Sequence, residues 1–310
     1  VRHGRLMRTL TFWLRPAFAL RVVSRFQRIA GFDRSMALAS SALTALVPMA
    51  LLVASIAARF VPKDLADRIV SRYDLTGGGA DAVRSMFSYT QGPGGSLSVF
   101  GSLFLIISAL SFARASQRLF EQTWELSPLS VRNSLNGLLW LLALVVYGAA
   151  VGWLDAALGG RLALAARACE VPLTAAFLVW SGWILTARRL PWPDLIPFGV
   201  SAALLSALYS FASAVYLPRL FSSYATRYGS LGAVFALITA LFGAMLTLVA
   251  ASALGREVHD ELDRIGRGEA PPDGEIRQEW ATVVGLARER WETAREDLAR
   301  RRGTRRSHRG

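Results

Sequence analysis

The chain has 310 residues, 53% apolar and 18% charged, with a mean hydropathy of +0.36 and a formal net charge of +13. An ordinary soluble domain is about 25% charged, so this balance excludes a disordered chain and argues against a water-soluble enzyme. One cysteine, Cys169, excludes an intrachain disulfide, and His3, His259 and His308 are too scattered for a Cys–His zinc site.

Residues 1–35 form a basic N-terminal segment. Phe18, Val22, Phe26 and Ile29 recur at helical spacing, with Arg21, Arg25 and Arg28 on another face. That pattern predicts a helix lying in a membrane interface, where anionic headgroups attract each Arg by about 1 kcal/mol. A helix packed on the protein's own cytoplasmic face carries the same pattern.

Six long apolar runs follow. They are Met36–Ala58, Leu97–Ala113, Leu135–Leu154, Val171–Ala187, Ile196–Leu217 and Leu231–Leu254, and none contains Asp, Glu, Lys, Arg or His. A bilayer span needs about 20 mainly apolar residues, within a range of roughly 17–25, so six membrane helices are expected. The segments on the N-terminal side carry 26 Arg, and those on the other side 9 Arg or Lys. The asymmetry predicts both termini in the cytoplasm.

Between the runs, 59–96 reads as a connector with two short amphipathic helices, around Leu65 and Ile69 and around Val83, Met86 and Phe87. Arg114, Arg118, Glu121 and Glu125 continue the second run along one side of a helix. They read as a paired, solvated face, or with Arg132 as a cationic clamp for lipid headgroups. Pro48 inside the first run predicts a kink. Pro172 and Pro197 read as helix openers.

Ser206, Tyr209, Ser210, Ser213 and Tyr216 share a face of the fifth run. Such a face either bonds neighbouring helices or lines a polar groove. Gly232, Ala236, Ala240 and Gly243 make a small-residue stripe in the sixth run that suits close packing. The tail 259–310 predicts an amphipathic helix at about 275–300, carrying Trp280, Trp291 and Leu298, and then a disordered Arg-rich end. Its stripe suits a second copy of the chain, a cytoplasmic protein or lipid, and gives no reason to expect specific nucleic-acid binding. No P-loop, nucleophile elbow or His-based metal motif is present, so neither an enzyme nor a cofactor is expected.

Three stretches resemble the YihY/virulence factor BrkB family of bacterial inner-membrane proteins. Tyr228-Gly229-Ser230-Leu231-Gly232-Ala233-Val234 looks like the family's opening of its last membrane helix. Ser108–Leu126 followed by Arg132 is similar to the segment leaving its second helix, and Ala45–Pro48 to its proline-containing first helix. The chain departs from the pattern at Ser40 and Ser41, where members carry aromatics, and at Ala251-Ser252-Ala253, where members end in Gly-Ala-Glu. The resemblance covers about 18–258 and implies a plasma-membrane protein, for whose family envelope-lipid transport has been suggested. The family's older label of transfer-RNA-processing ribonuclease finds no support in these residues.

The expectation is an all-α polytopic bundle: a basic segment 1–35, a six-helix membrane domain 36–258 and a cytoplasmic tail 259–310. Its leading function is movement of a lipid or another amphiphile. Arg114, Arg118, Arg132, Ser206, Tyr209, Ser210 and Ser213 are the candidate headgroup contacts, and Pro48, Tyr228, Gly229 and Gly232 are structural. The alternative is a membrane scaffold acting through its tail.

Overall fold

The computed structural model describes residues 16–60, 99–129, 134–158 and 163–268, with positions 70–71, 80, 280–282, 284–285 and 288. The expected helices of the 59–96 connector, most of the tail helix and Arg132 lie outside the described residues. Every regular element among the described residues is a helix. In chain order these are α1 Pro16–Arg28, α2 Gly31–Phe60, α3 Val99–Thr123, α4 Ser134–Leu158, α5 Ala163–Leu185, α6 Trp192–Tyr228 and α7 Ser230–Arg267. The chain divides into two compact units, Phe32–Arg256 and the pair Val1–Gly31 with Glu257–Gly310.

In the larger unit the apolar runs set the helices. Three described segments are long and apolar enough to cross a membrane: Leu135–Leu154, Trp192–Tyr228 and Leu231–Arg267. Cys169–Leu185 is a shorter apolar stretch on α5. The Met36–Ala58 run lies in α2, which continues through Pro48.

Successive helices from α3 to α7 run antiparallel. Phe112 meets Trp140 at 5.6 Å, and the Tyr147 and Phe177 rings stack at 4.3 Å. Gly199 of α6 faces Val179 and the carbonyl of Ala175 on α5, and Gly243 of α7 faces the Tyr209 ring on α6. α5 also packs on α3. The two run parallel, because the turn after α5 meets the segment after α3: Arg189 Nη1 donates to the Ser127 carbonyl at 2.7 Å.

The best-covered part of this unit lies at that end. Phe198 is fully buried between Phe120, edge-on at 5.1 Å, and Trp124 at 5.7 Å. Leu185, Leu195 and Ile184 complete the cluster. Glu121 is buried beside it, accepting Gln117 Nε2 at 2.7 Å and the Leu129 amide at 2.9 Å, with Arg189 Nη2 at 3.5 Å. It therefore ties down the chain after α3 and does not pair with Arg118 along the helix. Glu125 has left the helix altogether: its φ is +53°, and the Leu126 amide bonds back to the Glu121 carbonyl, a left-handed helix stop.

Helix ends differ from the sequence reading at the prolines. α5 begins at Ala163 and α6 at Trp192, so Pro172 and Pro197 are interior rather than opening residues. A charge near the edge of an apolar run does not end the helix: the backbone carries on through Glu170 in α5 and Asp194 in α6. Between α6 and α7 the reversal takes one residue, Gly229, at φ +58°. Only glycine adopts that conformation without a Cβ penalty, which accounts for the middle of Tyr228-Gly229-Ser230. Tyr228 packs edge-on against Tyr224 and Phe235 on either side of the turn.

In the smaller unit, α1 is held by charge. Its buried line is Ala17, Arg21 and Ser24, not the phenylalanine stripe. Arg21 Nε donates to Glu257 Oε1 at 2.6 Å, and its Nη2 to Glu261 Oε2 at 2.7 Å. Arg25 Nε donates to the other oxygen of Glu257 at 3.0 Å and its Nη2 to Asp260 at 2.7 Å. Two arginines one helical turn apart thus meet three carboxylates on the last turns of α7. Arg21 and Arg25 are spent on the protein's own carboxylates, and Arg28 is the exposed member of the set, donating to Ser24 Oγ.

Candidate functional site: a polar groove between α4, α5 and α6

Sequence dictates where the larger unit opens. At Gly199, α6 closes onto α5, since a Cβ there would lie 2.3 Å from Val179 Cγ2. One to three turns further along, α6 places small residues at the opening: Ala203, Ser206, Ala207 and Ser210. A cavity of about 230 Å³ results, lined by these four with Tyr147 of α4, Glu170, Val171 and Thr174 of α5, and Phe211. Ser210 and Phe211 are exposed, so the groove opens on the outer, apolar side of the bundle, beside exposed Leu204 and Leu208.

Its polar groups are ordered by a short relay. Thr174 Oγ1 spends its proton on the Glu170 carbonyl at 2.8 Å, so the 2.7 Å contact with Tyr147 is donated by the phenol. The Tyr147 oxygen keeps its lone pairs as acceptors, and Tyr147 lines the groove. Many hydroxyls on these helices bond back to a carbonyl of their own turn, as Ser181, Ser213, Thr239 and Thr247 do. Ser206 and Ser210 make no such bond among the described residues. Their hydroxyls are therefore available to something in the groove.

The Ser/Tyr face of the fifth run is divided by the fold. Ser206 and Ser210 line the groove. Tyr209 turns the other way and donates to the Ala240 carbonyl of α7 at 2.6 Å, lying over Gly243. Ser213 donates to the Ser210 carbonyl, and Tyr216 is exposed. Removing the hydroxyl of Tyr209 deletes one interhelical bond, typically worth about 0.6 kcal/mol between membrane helices. Tyr209→Phe will lower the midpoint of thermal unfolding in detergent only slightly and leave the fold intact. In the small-residue stripe, Gly232 and Ala236 are buried.

Arg114 and Arg118 are exposed on α3. Arg118 has a second cation near it, Arg34 at the start of α2, whose pKa is lowered by burial and then by the Arg118 charge. This cationic edge and the groove lie toward opposite ends of the bundle. Arg118 sits near the end of α3 that meets the end of α5, whereas Glu170 is 15 residues back from Leu185, about 22 Å along the helix axis at 1.5 Å per residue.

Glu170 is what the sequence reading missed. The fourth apolar run begins at Val171, so Glu170 stands just outside it in sequence. In the fold it lies two turns inside α5. The available signal was the helix-forming Ala163-Leu164-Ala165-Ala166 stretch before it. The last-helix carboxylate that the resemblance leads one to expect is absent, and Ser252 is buried there, 3.3 Å from the Thr123 hydroxyl. Among the described residues no three His, Cys, Asp or Glu come together to hold a metal.

Comparison with protein families finds one whose model, described as Virulence factor BrkB, matches residues 22–273. No curated protein and no solved structure matches the chain.

Proposed function

The chain belongs to the virulence factor BrkB family, and on that footing we propose that it is a multi-pass plasma-membrane protein giving a lipid or another amphiphile a path across the bilayer. In this reading α2 to α7 are six bacterial inner-membrane spans with both termini cytoplasmic. The protein works without chemistry of its own, and the driving force comes from the gradient or from a partner.

The observation that carries the reading is the lateral groove. A headgroup crossing hydrocarbon loses its water, and each unsatisfied polar group costs several kcal/mol. A groove with two uncommitted hydroxyls and a carboxylate, open along an apolar outer face, offsets that loss while the chains stay in lipid. The exposed Arg114 and Arg118, with Arg34, lie at the other end of the bundle and suit a phosphate entering the path from that side.

The test is lipid movement in vesicles of purified protein, using an acyl-labelled phospholipid quenched from outside. Quenching well beyond the half seen in protein-free vesicles is expected. Ser206→Leu with Ser210→Leu, which fills the groove with apolar bulk, will slow it at least about tenfold, a barrier increase near 1.4 kcal/mol. Thr239→Leu, whose hydroxyl bonds only within α7, will leave the rate unchanged. Quenching that stops at one half removes the transport reading.

A further inference from the structure

Glu170 gives the groove a charge of its own. None of the other described lining residues is basic. Among the described residues no Arg pairs with the Glu170 carboxylate; only its backbone carbonyl is engaged, by Thr174. Ionisable residues within membrane helices are expensive and almost always paired with something. Among the described lining residues the fold supplies an acid and no base, so the complementary head is a cation.

We propose that this groove selects amphiphiles bearing an ammonium group and that Glu170 is the residue that selects them. The inference rests on the groove being an amphiphile path. Each wall fits the same head. The carboxylate takes the charge. The hydroxyl oxygens of Ser206 and Ser210, and the Tyr147 oxygen whose proton is already given to Thr174, accept N–H bonds. The ring of Phe211 at the mouth offers an aromatic face to the cation. An anionic head meets the same carboxylate with no basic residue among the described lining, so it is disfavoured. A bare metal ion finds only one carboxylate, too few hard ligands for a calcium-like site.

Two measurements on the full chain separate this inference from the transport reading. In vesicles, acyl-labelled phosphatidylethanolamine should move about tenfold faster than phosphatidylglycerol carrying the same label. Glu170→Gln should level the two rates, and Glu170→Asp should keep the preference. In neutral-lipid nanodiscs, dodecylamine at pH 7 should bind wild type about tenfold more tightly than it binds Glu170→Gln, with dodecyl sulfate showing no such difference.

Equal lipid rates in wild type, together with equal dodecylamine binding by wild type and Glu170→Gln, overturn the ammonium selectivity and leave the path standing. Glu170-dependent dodecylamine binding with no lipid movement supports the ammonium site while overturning transport. Glu170-dependent amine binding with equal movement of the two lipids identifies a free long-chain amine, not a lipid headgroup, as the ligand. Recovery of each variant as a single folded species by size exclusion keeps loss of fold apart from loss of selectivity, and the Asp variant provides the charge-conserving control.

Discussion

Glu257→Ala will release α1 from the end of α7, at a cost of about 3–5 kcal/mol to that unit. The side chain is 4% exposed, and its two oxygens each take a different arginine, Arg21 at 2.6 Å and Arg25 at 3.0 Å. Surface ion pairs are worth little, but breaking a buried one by removing a single partner strands the other charge away from water, and that penalty sets the magnitude. Amide hydrogen exchange across 16–28 will speed up in the variant, and trypsin will cut at Arg21 and Arg25 where it does not in wild type. Glu257→Gln keeps the shape and loses the charge, and will reproduce most of the effect. The paired exchange Arg21→Met with Glu261→Leu removes one buried charge of each sign and will cost less than either change alone. A double-exchange cost equal to the sum of the two would show that the side chains act independently.

Gly255→Ala will cost about 3 kcal/mol or more in the larger unit. A Cβ at Gly255 would fall 2.3 Å from the Cα of Phe198 and 2.8 Å from its amide nitrogen. No rotamer change relieves a clash with backbone, so α6 and α7 must separate where Phe198 is wedged between Phe120 and Trp124. Overpacking usually costs 1–3 kcal/mol, about the loss expected when a side chain gives way. A rigid contact belongs at the top of that range or beyond it. Gly148→Ala and Gly152→Ala on α4 supply the contrast, because a Cβ at either position meets nothing within 4 Å. Both will be neutral or mildly stabilising, through the better helix propensity of alanine. Thermal unfolding of the three variants in one detergent will rank them, and a Gly255→Ala midpoint matching that of Gly148→Ala would contradict the close approach of α6 to α7.

How much of this was readable in advance follows the range of the interaction. The apolar runs are local signals, and they fall on α2 to α7. Gly229 was visible as part of a motif, and its left-handed φ supplies the reason for it. The groove was half visible: Ser206 and Ser210 were picked out by spacing, but Tyr209 and Ser213 share that spacing and point elsewhere. Periodicity says which residues share a face and not which neighbour covers it. For the same reason α1 showed its phenylalanine stripe in sequence while burying Ala17, Arg21 and Ser24 in the fold. Glu257 and Glu261 lie more than 230 residues from the arginines they meet, a separation at which the sequence offers no local cue. Glu170 was lost differently, by treating a charge as the edge of a helix.

The one-residue link at Gly229 has a dimensional consequence. α6 has 37 residues and α7 has 38, so each axis is about 55 Å long. At an average tilt of about 20° such a rod covers roughly 52 Å along the bilayer normal, against about 30 Å of hydrocarbon. The surplus cannot be hidden: in α6 it falls at the Gly229 end, where Arg219, Ser222, Ser223, Thr226 and Arg227 follow the apolar run, and in α7 at the opposite end, past Leu254. α6 thus carries a polar extension of about 16 Å past Leu217, a length of stiff helix that holds Tyr224 and Tyr228 well beyond the last residue of its apolar run.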